Sequence, residues 1–243
     1  MTSRILSVSR LLTLVFVVGL IVVSNVSISN AAEPKSESEL FPKNATILFQ
    51  GDSITDGNRG RNLDPNHILG HGYAFLTASA LSGRNPEMNW TFLNRGVSGN
   101  TVLEMRQRWD EDTIALKPDV LSIMIGVNDY WRGESPEEYR AAFDELLSYT
   151  KQELPDTKLI VIEPFATLPT SLKEGANIAD YQDAARDLAN KYGAVYVLTQ
   201  EMFMEHIANE PSEKYWIWDG VHPTYSGHWL LYEAWLKAVL EAE

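Results

Sequence analysis

Cysteine is missing from the 243 residues. The chain therefore has no disulfide and no cysteine for a lipid anchor, and the mature protein must be held by its core alone. Basic residues are scarce: 20 Lys and Arg stand against 33 Asp and Glu, a formal net charge of −13. So acidic a chain is repelled by nucleic acid and by anionic lipid surfaces, whereas a neutral substrate such as a sugar ester meets no such penalty. No long hydrophobic run is present. The longest, Leu11 to Val23, is broken by Thr13 and Gly19 and falls short of the ~18–20 residues that span a bilayer. Internal repeats and low-complexity tracts are also absent.

What is present begins with a targeting segment. Arg4 and Arg10 form a basic start, the apolar run follows, and small polar residues lead to Ser29-Asn30-Ala31-Ala32. This is the pattern of a secretory signal peptide over residues 1–31. It predicts a secreted or periplasmic protein with no stable membrane association after cleavage. Residues 32–43, opening on Ala-Glu-Pro-Lys-Ser-Glu-Ser-Glu, read as a flexible leader. Residues 44–243, about 200 in number, suit one domain with a sizeable core.

Within that domain, short apolar runs alternate with segments of helical period. The strand candidates are Thr46–Phe49, Trp90–Leu93, Val120–Ile125, Leu159–Ile162 and Ala194–Leu198. Continuous runs of this kind suit strands buried on both faces. Ser135-Pro136-Glu137-Glu138 opens a helix with a serine cap, a proline at the first position and a glutamate three residues past the cap. That helix should run to about Glu153. Ile178 to Tyr192 reads as a second helix closed by Gly193, and a third follows Pro223-Thr224 with Trp229, Leu230, Trp235, Leu236, Val239 and Leu240 on its apolar face. The alternation predicts an α/β fold, a doubly wound parallel sheet with helices on both sides, whose sites form at the carboxyl ends of the strands.

Four segments carry chemistry. Gly51-Asp52-Ser53-Ile54 puts a serine where the first strand gives way to a loop. Asn94-Arg95-Gly96-Val97-Ser98-Gly99-Asn100, Gly126-Val127-Asn128-Asp129 and Asp219-Gly220-Val221-His222 follow in that order. A neutral serine hydroxyl is a poor nucleophile and needs a base within hydrogen-bond reach. His222 is the candidate base, and Asp219, three residues before it, can hold one ring nitrogen while the other faces Ser53. Attack on an ester places negative charge on the carbonyl oxygen. The backbone N–H groups of Ser53 and Gly99 and the side-chain amide of Asn128 are the candidate donors to it. In isolation each segment has a plainer reading: a solvated loop before a helix for Asp219-x-x-His222, turn chemistry for Gly96 and Gly99, an Asx turn for Asn128-Asp129. Those readings lose weight because three of the segments sit just past strand candidates at one predicted sheet edge.

The same four segments resemble the sequence blocks of the SGNH, or GDSL, hydrolase superfamily. The resemblance covers roughly residues 45–240. The family serine falls on Ser53, the second-block glycine on Gly99, the third-block asparagine on Asn128, and the Asp and His on Asp219 and His222. Further stretches are similar to the serine acetylxylan esterases of that superfamily: Asn94–Val102, Arg108–Ile114, Lys117–Asp119, Ser122–Asp129, Trp131-Arg132, Trp218–Pro223 and Gly227-His228. The resemblance implies a three-layer αβα, flavodoxin-like fold with a five-stranded parallel sheet. It also implies deacetylation of xylan or xylo-oligosaccharides, with no metal or other cofactor, and is compatible with a homo-oligomer.

Other residues have plainer roles to set beside functional ones. Sugars pack their C–H faces on aromatic rings, so Trp131 and Trp218, beside the catalytic segments, are candidate substrate-binding residues, whereas Trp109 reads as core. Asp52 reads as a structural acceptor beside the nucleophile. Arg59 and Arg61 read as solvated loop charges. His67 and His71 have a spacing that metal ligands can use, but no third ligand is evident and Pro65 and the neighbouring glycines oppose a regular helix. The expected activity is that of a secreted serine esterase acting on an acetylated carbohydrate. A lysophospholipase or thioesterase using the same site on longer acyl chains is the alternative, and a carbohydrate-binding protein that has lost the chemistry is a third reading. The last is opposed by the presence of every catalytic part.

Overall fold

The computed structural model describes residues 36–62, 64–167, 177–209 and 212–242. The predicted signal peptide lies outside them, as does most of the 164–178 loop. In chain order the elements are β1 (Thr46–Gly51), α1 (Ser53–Asp56), α2 (Tyr73–Arg84), β2 (Thr91–Asn94), α3 (Val102–Gln107), α4 (Trp109–Asp112), β3 (Val120–Met124) and α5 (Val127–Arg132). They continue with α6 (Pro136–Glu153), β4 (Lys158–Ile162), α7 (Ile178–Lys191), β5 (Val195–Val197), α8 (Gln200–Asn209), α9 (Glu213–Trp216) and α10 (Tyr225–Glu241).

The five strands form one parallel sheet in the order β2-β1-β3-β4-β5, the flavodoxin-like order. Side chains alternate across the pleat, so each strand feeds two cores. Ile47, Phe49, Val120, Met124, Ile160 and Ile162 face a cluster completed by α2 and α10. Leu48, Leu121, Ile123, Leu159 and Val161 face the opposite cluster, completed by α3, α6 and α7. This is why the strands read as unbroken apolar runs: both faces are covered. One polar residue, Ser122, interrupts β3, and its hydroxyl accepts the indole N–H of Trp235 at 3.0 Å.

The caps behave as their residue types dictate. Ser135 accepts the N–H of Glu138 while Glu138 reaches back to the N–H of Ser135. Thr224 accepts the N–H of Gly227 at the start of α10. Trp109 is fully buried, with its indole N–H on the Thr150 hydroxyl at 2.9 Å.

The leader requires a correction. Residues 37–39 form a single 3-10 turn, and Leu40 and Phe41 are buried in the α2/α10 core. Phe41 meets Trp90 edge-on at 5.7 Å, and the Trp90 indole donates to the Pro42 carbonyl at 2.9 Å. The polar run before this pair masked it: two large apolar side chains suffice to dock the segment, because burying each is worth about 1.5–3 kcal/mol.

Candidate active site

The register of the sheet places the site. Gly51 pairs with Met124, so β1 and β3 end level. Past those ends, Ser53 opens α1 and Asn128 lies in α5. The chain leaving β2 keeps bonding to β1, with Arg95 N–H on Phe49 O at 2.8 Å and Val97 N–H on Gly51 O at 3.0 Å. That carries the Gly96–Asn100 segment to the same edge. The Asp219–His222 segment is brought there by a bond from Thr167, past the end of β4, to the Gly220 carbonyl at 2.9 Å. Its entry and exit close on each other through a bridge between Ile217 and Pro223 and a bond from Trp218 N–H to His222 O at 3.1 Å.

Ser53, His222 and Asp219 form a continuous hydrogen-bonded line. Ser53 Oγ is 2.9 Å from His222 Nε2, and His222 Nδ1 is 2.7 Å from Asp219 Oδ2. The other Asp219 oxygen accepts the backbone N–H groups of Val221 at 3.1 Å and His222 at 2.7 Å. Burial alone would raise the Asp219 pKa. The bonds from the His222 backbone, the His222 ring and Val221 outweigh it and hold the carboxylate below its usual range. Asp219 is thus an acceptor fixed to one side of the imidazole, which leaves Nε2 for the serine.

The candidate oxyanion donors lie beside Ser53. Among the described residues, the backbone N–H groups of Ser53 and Gly99 have no protein acceptor. Gly99 has φ +84°, a left-handed conformation that a side chain would strain. The Asn128 amide donates one hydrogen to Asn100 O at 3.1 Å, which leaves its second hydrogen free for a ligand. Arg132 ties the same elements together, donating to Gly99 O at 2.5 Å and to Glu104 Oε1 at 2.8 Å.

Beneath this wall runs a buried polar network that sequence reasoning missed. The Asn94 amide donates to Thr55 O at 2.7 Å and Leu69 O at 3.0 Å, and its oxygen accepts Gly96 N–H at 2.9 Å. Asp56 accepts the N–H and hydroxyl of Ser98 at 3.0 and 2.9 Å and a two-pronged bond from Arg61 at 3.0 and 2.6 Å. Burial would raise the Asp56 pKa, but the Arg61 and Ser98 bonds prevail and lower it. Arg108 donates to Gln50 Oε1, Arg95 O, Asn100 Oδ1 and Gly51 O. Gly96 is packed so closely that a Cβ there would lie 2.4 Å from Asp56 N.

The remaining sequence candidates divide. Trp218 is 59% exposed, and its ring stacks on that of His222 with centroids 6.1 Å apart. Trp131 is 45% exposed on α5, three residues past Asn128, and has no ring contact with the triad. Asp52 caps α1 through Ile54 N–H at 3.0 Å, and its second oxygen has no partner. Burial pushes its pKa up to about 7 against the opposing Ile54 bond and the nearby His222 charge. Arg59 and Arg61 are not free loop charges. Arg61 grips Asp56, and Arg59 Nε donates to Gly96 O at 2.8 Å. His67 and His71 lie exposed in a chain of turns rather than on a helix. His228, in contrast, is buried, accepts Tyr73 N–H at 3.2 Å and has its pKa lowered to about 4 by burial.

Residues 49–230 match the GDSL-like lipase/acylhydrolase family. The chain belongs to that family. It is 34% identical over 207 residues to an acetylxylan esterase of Geobacillus stearothermophilus, covering 79% of this chain and 93% of that one. A crystal structure of a catalytic mutant of a Geobacillus stearothermophilus acetylxylan esterase superposes with a TM-score of 0.75 at 31% identity, over 82% of this chain and 95% of that chain. An enzyme from the metagenome of Lake Arreo, Spain, described as an alpha/beta hydrolase, superposes with a TM-score of 0.74 at 30% identity, over 82% and 97%. Family membership and these relatives identify the chain as an esterase. No helix among the described residues is long and apolar enough to cross a membrane.

Proposed function

We propose that this esterase is a secreted serine enzyme that removes O-acetyl groups from a carbohydrate of the xylan type through an acyl-enzyme. The observation that carries the reading is the unbroken line from Ser53 Oγ through the His222 ring to Asp219, with bonds of 2.9 and 2.7 Å, at the edge where Gly99 and Asn128 offer donors. The acetylxylan esterase relative at 34% identity supports the acetyl group and the sugar. The exposed Trp218 ring beside His222 supports a sugar face at the mouth.

His222 Nε2 takes the Ser53 proton as Oγ bonds to the acetyl carbonyl carbon. The carbonyl electron pair moves onto oxygen, where the N–H groups of Ser53 and Gly99 and the Asn128 amide receive it. The tetrahedral centre then collapses. Its bond to the sugar oxygen breaks, and His222 returns the proton to that oxygen, releasing the deacetylated sugar. Water attacks the acetyl-serine by the same route, giving acetate and free Ser53. Asp219 keeps the imidazole in the required tautomer and stabilises its protonated form without accepting the proton.

The test compares acetate release from acetylated xylan with hydrolysis of octanoyl and lysophospholipid esters, using Ser53→Ala as control. The reading requires acetate release by the wild type and a fall in kcat of roughly 10⁴-fold or more in the variant. Preference for octanoyl or lysophospholipid esters would move the enzyme to longer acyl chains with the same machinery. Turnover retained by a folded Ser53→Ala protein would sink the nucleophile.

A further inference from the structure

A polar cavity of about 310 Å³ lies beside the Gly96–Asn100 segment, lined by Arg59, Arg61, Asn62, Arg95 and Asp112. Three guanidinium groups converge on it in a protein whose net charge is −13. The carboxylates at hand do not balance them. Asp56 is occupied by Arg61 and Ser98. Asp112 is shared between Arg108 at 3.0 Å and Arg95 at 3.6 Å. The Arg59 guanidinium has no ion-pair partner among the described residues: its donors reach only the carbonyls of Gly96 and Gly60, the latter at the long distance of 3.5 Å, while the backbone N–H of Arg59 donates to Asp56 Oδ1 at 3.1 Å. Four arginines thus face two carboxylates. Burial lowers the Arg59 pKa to about 10, with repulsion from Arg61 and Arg95 set against attraction to Asp56 and Asp112. The cluster is short of negative charge, and the open space lies among its arginines.

The cavity is built on the elements that carry the reaction centre. Arg59 follows α1, whose first residue is Ser53, and its Nε holds the Gly96 carbonyl. Arg95 leaves β2 four residues before Gly99. A sugar chain placing an acetyl group at Ser53 can present a neighbouring residue to this side of the second-block segment.

We propose that this cavity binds a carboxylate carried by a sugar, a uronic acid in the same oligosaccharide as the acetyl ester, with Arg59 and Arg95 as its principal partners. Guanidinium suits such a group because its planar fork matches the two carboxylate oxygens. The substrate is then an acidic acetylated oligosaccharide, and the arginines draw it to one side of the triad. This specificity rests on the esterase reading above, whereas the binding of uronate does not.

Titration of the protein with free glucuronate, glucose and acetate by calorimetry at low salt tests the site without turnover. Glucuronate is expected to bind saturably, glucose not at all and acetate more weakly. Replacing both residues (Arg59→Gln with Arg95→Gln) should weaken glucuronate binding about tenfold or more, and the Lys pair Arg59→Lys with Arg95→Lys, a milder change should the Gln pair fail to fold, should weaken it less. In parallel, the ratio of kcat/KM for a uronate-bearing acetylated xylo-oligosaccharide to that for its neutral counterpart should exceed one in the wild type and fall towards one in the Gln pair and with added salt. Absence of saturable glucuronate binding, acetate binding as well as glucuronate, or equal glucuronate binding in folded variants would overturn the site. Failure of all acetyl esters to react, with glucuronate still bound through these arginines, would overturn only the esterase reading.

Discussion

The two halves of the candidate site are built on different principles. The half that carries Ser53, Gly99 and Asn128 is a wall. It stands on the ends of three adjacent strands and rests on a buried network of Asn94, Asp56 and Arg108 that joins residues far apart in sequence. The half that carries Asp219 and His222 is a short loop that holds itself. Asp219 is fastened by N–H groups two and three residues on, the loop closes through Trp218 and Pro223, and its side chains are 30% and 40% exposed at Asp219 and His222. In the proposed mechanism the wall fixes where charge will develop, and long-range packing secures it; the loop fixes a tautomer, and local bonds are enough for that. Damage to the wall should therefore cost stability along with rate, whereas damage to the loop should cost rate alone.

The largest separation should come from Asp219→Asn. Kinetics should show kcat reduced by about 10⁴-fold, because an amide favours the wrong imidazole tautomer, while thermal melting stays near the wild-type value. A large loss of stability would show that the loop is a structural strut.

Asn128→Ala should lower kcat by roughly 10²–10³-fold with KM little changed, since the lost donor acts on charge that appears only in the transition state. A rise in KM at constant kcat would assign Asn128 to ground-state binding instead.

Gly96→Ala is the sharper probe of the wall. Its Cβ must displace Asp56 N, 2.4 Å away, and the expected destabilisation is about 1–3 kcal/mol by denaturant melting. Because Asp56 holds Ser98 beside Gly99, kcat should fall as well. Stability lost without any change in rate would uncouple the network from the reaction.

The smallest effect concerns pH. The Asp52 carboxyl stands at about 7 in the fold against an ordinary value of 3.8. A raised acid contributes stability that is complete below the unfolded pKa and is lost as pH rises through the folded one. The Asp52 contribution should therefore be lost between about pH 4 and pH 7, while the lowered pKa of His228 acts in the opposite sense, so the Tm of Asp52→Asn should gain on that of the wild type across this window. Parallel Tm profiles would show that Asp52 titrates in the ordinary carboxylate range.

Much of this architecture is legible in the sequence because a parallel sheet covered on both faces demands continuous apolar strands. All five runs are strands. The differences are at the ends, where β1 extends to Gly51 and β5 contracts to Val195–Val197. Helices α6 and α10 are equally legible from Ser135-Pro136 and from Pro223-Thr224, whose caps have one physical meaning, whereas α2 opens without a side-chain cap that announces it. The short elements α1, α3, α4 and α5 are not, since four to six residues carry too little periodicity. Ser53, Asp219 and His222 could be singled out because their chemistry needs those residue types. Asp56, Asn94 and Arg108 could not, because their value lies in partners such as Ser98, Thr55 and Gln50 that only folding brings near. For the same reason Arg59 and Arg61 read as solvent charges: nothing in the local sequence places Gly96 or the Asp56 carboxylate beside them.

Labelling with a serine-directed fluorophosphonate, followed by peptide mapping, tests the central claim most directly, namely that His222 and Asp219 activate Ser53 against the wall. The account predicts one label per chain on the peptide containing Ser53, loss of all turnover in step with labelling, and labelling slowed in Asp219→Asn. A label on another residue, or activity surviving full modification of Ser53, would contradict it.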